Sequence, residues 1–245
     1  MSTGKQKLYT FGCSFTYGQG FPDCDVSVNR TPSDLAWPNH VADSLGLPFE
    51  NLASPGCSPF ELGRRFLRNI HKMSESDIVV IAWPYFDRTC VLLNSGTEAM
   101  AKFTPGMGII DVGKDLLPMD TEYYYKHFTT STHQLESFMM ASKLVDAHCK
   151  LKGVNVIQSI FLKEYKDQLN EALKSPDYDW YDVKIENNTF DFIQLKREYL
   201  SERFGVKFED LPDHHRGLEH HKFWAESVRR RIIRKGFLKN FTRNA

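Results

Sequence analysis

The sequence predicts an α/β fold in which helices pack on a parallel sheet, and three observations support this. Short, uninterrupted apolar runs rich in β-branched residues recur along the chain, and longer segments with apolar residues at helical spacing lie between them. Strands buried on both faces have this apolar character, and their alternation with helices is typical of parallel sheets. The chain has 245 residues with ordinary apolar and charged fractions of 41% and 25%, enough to bury a sizeable core.

Four segments have the pattern of buried strands. They are Lys7 to Phe11, Phe49 to Ala53, Asp77 to Trp83 and Gly153 to Phe161. Four others repeat apolar residues every three or four positions, as amphipathic helices do. They are Trp37 to Leu45, Pro59 to Met73, Thr132 to Leu151 and about Leu218 to Lys235. Residues 88–130 are punctuated by glycine and proline between β-like runs, which predicts an insertion beside the sheet, near the binding cleft.

Charge and cysteine content argue against several classes of protein. The chain has 31 basic and 31 acidic residues, so its net charge gives no reason to expect a nucleic acid or an acidic membrane as partner. Its five cysteines are scattered without a Cys-x-x-Cys pair, which predicts free, mostly buried thiols rather than disulfides or a zinc site. The first seven residues are polar and no later run is long enough to span a bilayer, so we expect a soluble, cytoplasmic protein without a signal peptide.

A serine follows the first predicted strand directly, in the turn Gly12-Cys13-Ser14. Such a turn can present a hydroxyl nucleophile at the edge of a sheet. The loop Ser54 to Ser58 follows the second strand, and Pro84-Tyr85 follows the third. Because ligands of parallel sheets bind outside the carboxyl ends of the strands, these loops are expected to meet at one site.

A serine nucleophile needs a base, and the base needs an acid to orient it. Asp213 and His215 stand shortly before the last helix, and residues two apart in an extended segment project to the same side. In this chain the nucleophile comes first and the acid and base come together near the end. This order differs from the well-separated Ser, Asp and His of α/β-hydrolases.

With these residues the chain resembles the SGNH (GDSL-type) hydrolases, in a branch whose first block reads Phe-Gly-Cys-Ser-Phe-Thr. The resemblance covers most of the chain in four blocks. They are Gly12-Cys13-Ser14, Asn51 to Ser58, Ile78 to Arg88, and Asp213 to Ala225. It implies a single domain over residues 1–245, a three-layer α/β/α fold with a flavodoxin-like parallel sheet of about five strands, and an ester- or acyl-directed hydrolase that uses no cofactor.

The resemblance also implies a role for individual residues. Ser14 would be the nucleophile, His215 the general base and Asp213 the carboxylate that orients it. The backbone N–H groups of Ser14 and Gly56 would form the oxyanion hole, in which losing one donor typically costs a factor of roughly 10²–10³ in rate. A side chain at Gly56 would crowd the incoming carbonyl group.

Three departures from the family pattern stand out. Cys13 occupies the position of the family's aspartate, which should be tolerated if that residue orients the turn. The third block has Pro84 where the family has an asparagine that donates to the oxyanion, and proline cannot donate. Only one residue separates Asp213 from His215, against two in most of the family. His214 is therefore an alternative base, although the spacing to the last helix favours His215.

Other side chains have both a functional and a structural interpretation. Trp83, Tyr85 and Arg88 are expected to line the cleft, where aromatic faces suit sugars or acyl groups, while Trp83 at a strand end could equally close the core. Four histidines near Asp213 invite a metal site. They are His214, His215, His220 and His221. Vicinal histidines on a helix point to different faces, so we predict solvated histidines and no metal.

Three functions are compatible with the sequence. The first is a serine hydrolase that cleaves an ester or acetyl group of a small molecule or glycan. The second, suggested by the missing asparagine, is a weakened binding module of the same fold for a glycan or a protein. The third is a metal-dependent phosphoesterase that uses the histidine-rich segment. No nucleic-acid or membrane partner is expected, and the pattern leaves the oligomeric state open.

Overall fold

The computed structural model describes residues 5–24, 31–92, 100–104, 108–110, 126–127, 129–160, 162–187, 202, 205, 207 and 216–239. The strands are β1 (Leu8–Phe11), β2 (Phe49–Asn51), β3 (Ile78–Trp83), β4 (Thr89–Leu92), β5 (Met100–Thr104), β6 (Gly108–Ile110), β7 (Asn155–Ile160) and β8 (Glu186–Asn187). The helices are α1 (Ser14–Tyr17), α2 (Trp37–Leu45), α3 (Pro59–Asn69), α4 (Ser131–Lys152), α5 (Lys163–Ala172) and α6 (Leu218–Arg234). Short 3₁₀ turns cover Ile70–Lys72 and Pro176–Tyr178.

Five strands form the parallel sheet in the order β2-β1-β3-β7-β8. This is the flavodoxin-like order, and it confirms the predicted fold class. The four predicted strands are all present, each shorter by one to three residues than its apolar run. The fifth, β8, has only two residues and carried no sequence signal.

The sheet separates two hydrophobic cores, because successive side chains of a strand point to opposite faces. Ile78, Val80 and Ala82 of β3 join one core, in which Trp37 of α2 and Trp224 of α6 pack with ring centroids 4.5 Å apart. The alternate residues of β3 join the other core, to which α3, α4 and α5 contribute. Helices therefore cover both faces of the sheet and make the three layers that the sequence resemblance implied.

Residues typical of helix ends mark the start of α3 and the end of α4. Ser58 precedes α3, and its Oγ accepts from the Glu61 N–H at 3.2 Å, while Pro59 occupies the first turn. The predicted single helix from Pro59 to Met73 is interrupted, since α3 ends at Asn69 and a 3₁₀ turn follows. α4 ends at Gly153, whose φ of 66° is a left-handed conformation that glycine adopts easily.

A second, antiparallel sheet, β4-β5-β6, lies within the predicted insertion. Its first strand is tied to the start of α3, because the Ser58 hydroxyl donates to the Cys90 sulfur at 3.2 Å. Residues 93–99, 105–107, 111–125 and 128 of this region lie outside the described part of the chain. The single-domain assignment and the role of the insertion at the cleft stay predictions.

The cysteines match the sequence expectation. All five are free thiols, four of them buried and Cys90 partly so. Within the described ranges, no helix has both the length and the apolar character needed to cross a lipid bilayer.

Candidate active site

Ser14 lies at the start of the short helix α1, immediately after β1. Ser14 is only 5% exposed, and its backbone carbonyl accepts hydrogen bonds from the N–H groups of Gly18 and Gln19 at 2.9 and 3.0 Å. Gly18 ends the helix with a φ of 80°, and a Cβ there would lie 2.6 Å from the Cβ of Ser33. The four-residue helix α1 therefore ends at a position where both the backbone conformation and the packing favour glycine.

Gly12 allows this turn to approach β3. A Cβ at Gly12 would stand 2.1 Å from Thr16 Oγ1 and 3.2 Å from the carbonyl oxygen of Ala82. No side chain fits there unless α1 moves. The glycine of the first block is thus required by close packing around the serine.

The loop after β2 is fastened to the loop after β1. The Gly12 carbonyl accepts from the Ser54 N–H at 2.9 Å and from the Cys57 thiol at 3.2 Å. Gly56 lies between these two anchors, buried, with a φ of 67°. Its backbone therefore favours glycine independently of any substrate, a reason that the sequence did not disclose.

Asn51 at the end of β2 holds the same two loops together, a role that was not predicted from the sequence. Its side-chain N–H donates to the Thr16 carbonyl at 2.8 Å, and its Oδ1 accepts from the Ala53 N–H at 3.1 Å and from the Thr10 hydroxyl at 3.3 Å. Asn51 thus ties α1 to the segment that leads into the glycine block. Its place at the end of a strand in that block was the available signal.

Trp83 lies in the core. It is fully buried, its indole N–H donates to Gln158 Oε1 at 2.9 Å, and its ring meets Phe138 edge-on at 5.3 Å. Its indole donor is already used within the protein. This favours the structural alternative for Trp83, so our proposal takes only Tyr85 and Arg88 as cleft residues.

Tyr85 and Arg88 form one unit at the end of β3. The Arg88 N–H donates to the Tyr85 carbonyl at 3.2 Å, and the guanidinium carbon lies 4.6 Å from the centre of the Tyr85 ring. Arg88 is 9% exposed and lies beside the thiols of Cys13 and Cys57. Burial alone would lower the pKa of Arg88, but these neighbours and Tyr85 raise it, so the guanidinium stays charged.

Tyr85 connects this unit to the last block of the family pattern. Burial raises the pKa of Tyr85, the nearby Cys13 raises it further, and the positive charges of Arg88 and Arg216 oppose the increase. The phenol is therefore neutral at physiological pH and lies near both guanidinium groups. Arg216, which directly follows His214-His215 in the sequence, therefore lies near Tyr85.

Asp213, His214 and His215 themselves lie outside the described residues. His220 and His221, which follow in α6, are buried at 1% and 2% exposure, so the expectation of solvated histidines is wrong for these two. This end of α6 faces α2, and His221 contacts the first residue of that helix. In the described part of the chain no three His, Cys, Asp or Glu side chains converge as metal ligands would.

His221 has a structural function. Its Nδ1 accepts from the Trp37 N–H at 3.0 Å, and its ring lies edge-on to Phe21 with centroids 4.9 Å apart. Trp37 is the first residue of α2, and no side chain of the preceding residue caps that helix. His221 therefore satisfies an N–H that the helix itself leaves unpaired.

Among the comparisons with known proteins, only the comparison with solved structures gives matches. No family model and no curated protein matches the chain. Est2A, an acetyl xylan esterase from the rumen bacterium Butyrivibrio proteoclasticus, superposes with a TM-score of 0.54 at 12% identity, over 97% of this chain and 66% of its own. The psychrotrophic esterase EstA from Pseudoalteromonas sp., solved with monoethylphosphonate as inhibitor, gives 0.52 at 9% identity over 94% and 98%.

A lipolytic G-D-S-L family structure from Desulfitobacterium hafniense gives a TM-score of 0.50 at 14% identity, over 92% of this chain and 98% of its own. At such identities the likeness shows the fold. The three-layer fold is the one shared by these GDSL lipolytic proteins and esterases, as the sequence resemblance predicted.

Proposed function

We propose that this chain, which has the fold of the SGNH (GDSL-type) hydrolases, is a serine hydrolase that cleaves an ester or acetyl group. One observation carries the proposal. The Gly12 carbonyl binds the loop after β2 through Ser54 and Cys57, so the segment containing Gly56 is held against the turn that presents Ser14. A nucleophile and two backbone donors are needed within one small site, and this pairing supports that arrangement.

The chemistry would follow the serine triad. Ser14 Oγ attacks the carbonyl carbon of the ester while His215 takes its proton and Asp213 orients the imidazole. The oxyanion is held by the N–H groups of Ser14 and Gly56. The intermediate collapses to an acyl-enzyme, and His215 returns the proton to the leaving alcohol. Water then repeats the sequence and releases the acid.

The substrate class follows from the surroundings of Ser14. Tyr85 is a partly exposed aromatic residue at the end of β3, and sugars and acyl groups pack well on aromatic side chains. The similarity in fold to an acetyl xylan esterase agrees with an acetylated carbohydrate as substrate. We therefore propose a small-molecule or carbohydrate ester.

Hydrolysis of p-nitrophenyl acetate by the wild type and by Ser14→Ala tests the proposal. We expect turnover in the wild type and a decrease in kcat of roughly 10⁴-fold or more in the variant, since triad residues act as a unit. Circular dichroism verifies that both proteins are folded. Turnover that persists unchanged in Ser14→Ala would refute Ser14 as nucleophile.

A non-catalytic binding module is the second candidate, and Pro84 at the asparagine position favours it. In that case the folded wild type would bind an acetylated glycan without hydrolysing it. Turnover that depends on Ser14 eliminates this candidate.

A further inference from the structure

Arg88 is a buried cation whose side-chain hydrogen-bonding capacity is only partly used. Its Nε and Nη1 are inaccessible to solvent and have no hydrogen-bond partner, and no described acidic side chain forms an ion pair with it. Burying a charge is costly unless the charge is paired. A guanidinium kept in this state therefore indicates an anion that binds during function.

The place of Arg88 in the fold indicates where such an anion would bind. Arg88 belongs to the loop after β3, the loop that carries the asparagine donor in the family pattern. The turn between Tyr85 and Arg88 directs the side chain back across the Tyr85 ring toward Cys13 and Cys57. Cys13 immediately precedes Ser14, and Cys57 immediately follows Gly56, so the guanidinium lies near residues that adjoin both proposed oxyanion donors in the sequence.

Among the described residues no carboxylate is paired with Arg88, and its one side-chain hydrogen bond is to Cys13. Its described neighbours are the thiols of Cys13 and Cys57, the phenol of Tyr85 and the carboxyl group of Asp87. Asp87 is hydrogen bonded to Tyr165, and burial favours its neutral form by raising its pKa. The nearest acid is therefore engaged elsewhere.

We propose that Arg88 replaces the missing asparagine as the third donor to the oxyanion. The proposal rests on the proposed serine hydrolase function. When Ser14 Oγ bonds to the carbonyl carbon, the π electron pair moves onto the carbonyl oxygen, and the proton of Oγ passes to His215. Arg88 donates an N–H to the resulting oxyanion and stays protonated throughout. When the intermediate collapses, the pair returns, the bond to the alcohol breaks, and the alcohol takes the proton from His215.

A neutral ester separates this function from simple substrate binding. With p-nitrophenyl acetate, we expect Arg88→Met to lower kcat by roughly 10²–10³-fold with little change in KM, because the oxyanion exists only in the transition state and intermediate. Arg88→Lys and Arg88→Gln each keep an N–H donor and should recover part of kcat. Added guanidinium, well below denaturing concentrations, should partly restore Arg88→Met.

The midpoint of urea denaturation distinguishes the oxyanion role of Arg88 from a purely structural role. Because Arg88→Met removes an unpaired buried charge, we expect a midpoint equal to or above that of the wild type. Arg230→Met is the matched control, since Arg230 is 76% exposed on α6 and should leave both kcat and stability unchanged.

The outcomes are distinguishable. Wild-type protein without Ser14-dependent turnover would end the proposed function, and this inference with it. Normal turnover in both the wild type and Arg88→Met would overturn the oxyanion role alone. An increase in KM confined to carboxylate-bearing esters would instead make Arg88 a substrate-binding residue, and unfolding of all three Arg88 variants would make it structural; either result overturns the proposal.

Discussion

At the scale of single residues, the serine turn depends on groups that have no chemical role. Gly12 leaves room for Thr16, and Asn51 fixes the carbonyl of that same residue. The proposed nucleophile is therefore positioned by packing and by backbone hydrogen bonds rather than by its own side chain. Such positioning fixes the geometry before the substrate arrives.

The identity of the base is also a question at the residue scale. If His215 accepts the proton of Ser14, His215→Ala should lower kcat by roughly 10⁴-fold or more, while His214→Ala should change it by less than about tenfold. Both variants are compared in the p-nitrophenyl acetate assay after circular dichroism has shown that they fold. The reverse order would assign the base to His214.

The sequence could predict that Ser14 and Gly56 lie in the loops after β1 and β2, because small residues follow each apolar run, which is a local signal; their chemical roles stay predictions. It could not assign the structural functions of Asn51 or His221. These functions arise from contacts between distant segments; His221 and Trp37, for example, are 184 positions apart. No periodicity or spacing encodes such a pair.

At the scale of elements, segments with a clear apolar pattern were predictable, and segments without one were not. α2 begins and ends as predicted, since its apolar stripe and terminal glycine are both local features. α5 fully buries only Leu169 among its ten residues, with Tyr165 and Ala172 partly buried, so its apolar stripe is short and gives a weak signal. β8 has two residues and exists through its pairing with β7.

The contact between α6 and α2 gives a prediction at this scale. His221→Leu leaves the Trp37 N–H buried without an acceptor, so the free energy of unfolding should fall by about 1–3 kcal/mol. His221→Asn keeps an acceptor close to the position of Nδ1 and should lose less. Urea denaturation measures both. Equal stability of the leucine and asparagine variants would show that the hydrogen bond contributes little.

At the scale of the whole molecule, the sheet separates two hydrophobic cores, and one of them contains the buried thiols of Cys13, Cys57 and Cys149. Cys149 of α4 is fully buried, and burial raises the pKa of its thiol from 9.0 to about 12. In the unfolded chain the thiol ionises at its ordinary pKa. The native state therefore keeps its full stability below about pH 9 and loses it progressively as the pH rises toward the folded value.

This linkage predicts the alkaline stability of the protein. Between about pH 8 and about pH 11, the free energy of unfolding should fall by roughly 2–3 kcal/mol more in the wild type than in Cys149→Ala. Urea denaturation at both pH values measures the difference. The alanine variant controls for the buried tyrosines, which titrate in both proteins. Identical pH dependence in the two proteins would mean that the thiol ionises equally easily in the folded and unfolded states.

The proposed function also concerns the molecule as a whole, since it requires loops from three strands and the segment before α6 to meet. The most direct test is the intact mass of the folded protein after reaction with a fluorophosphonate probe, followed by peptide mapping. We predict one adduct on Ser14 in the wild type, and none in Ser14→Ala or in heat-denatured protein. A folded wild type that gains no adduct, or gains it on a residue other than Ser14, would contradict the account.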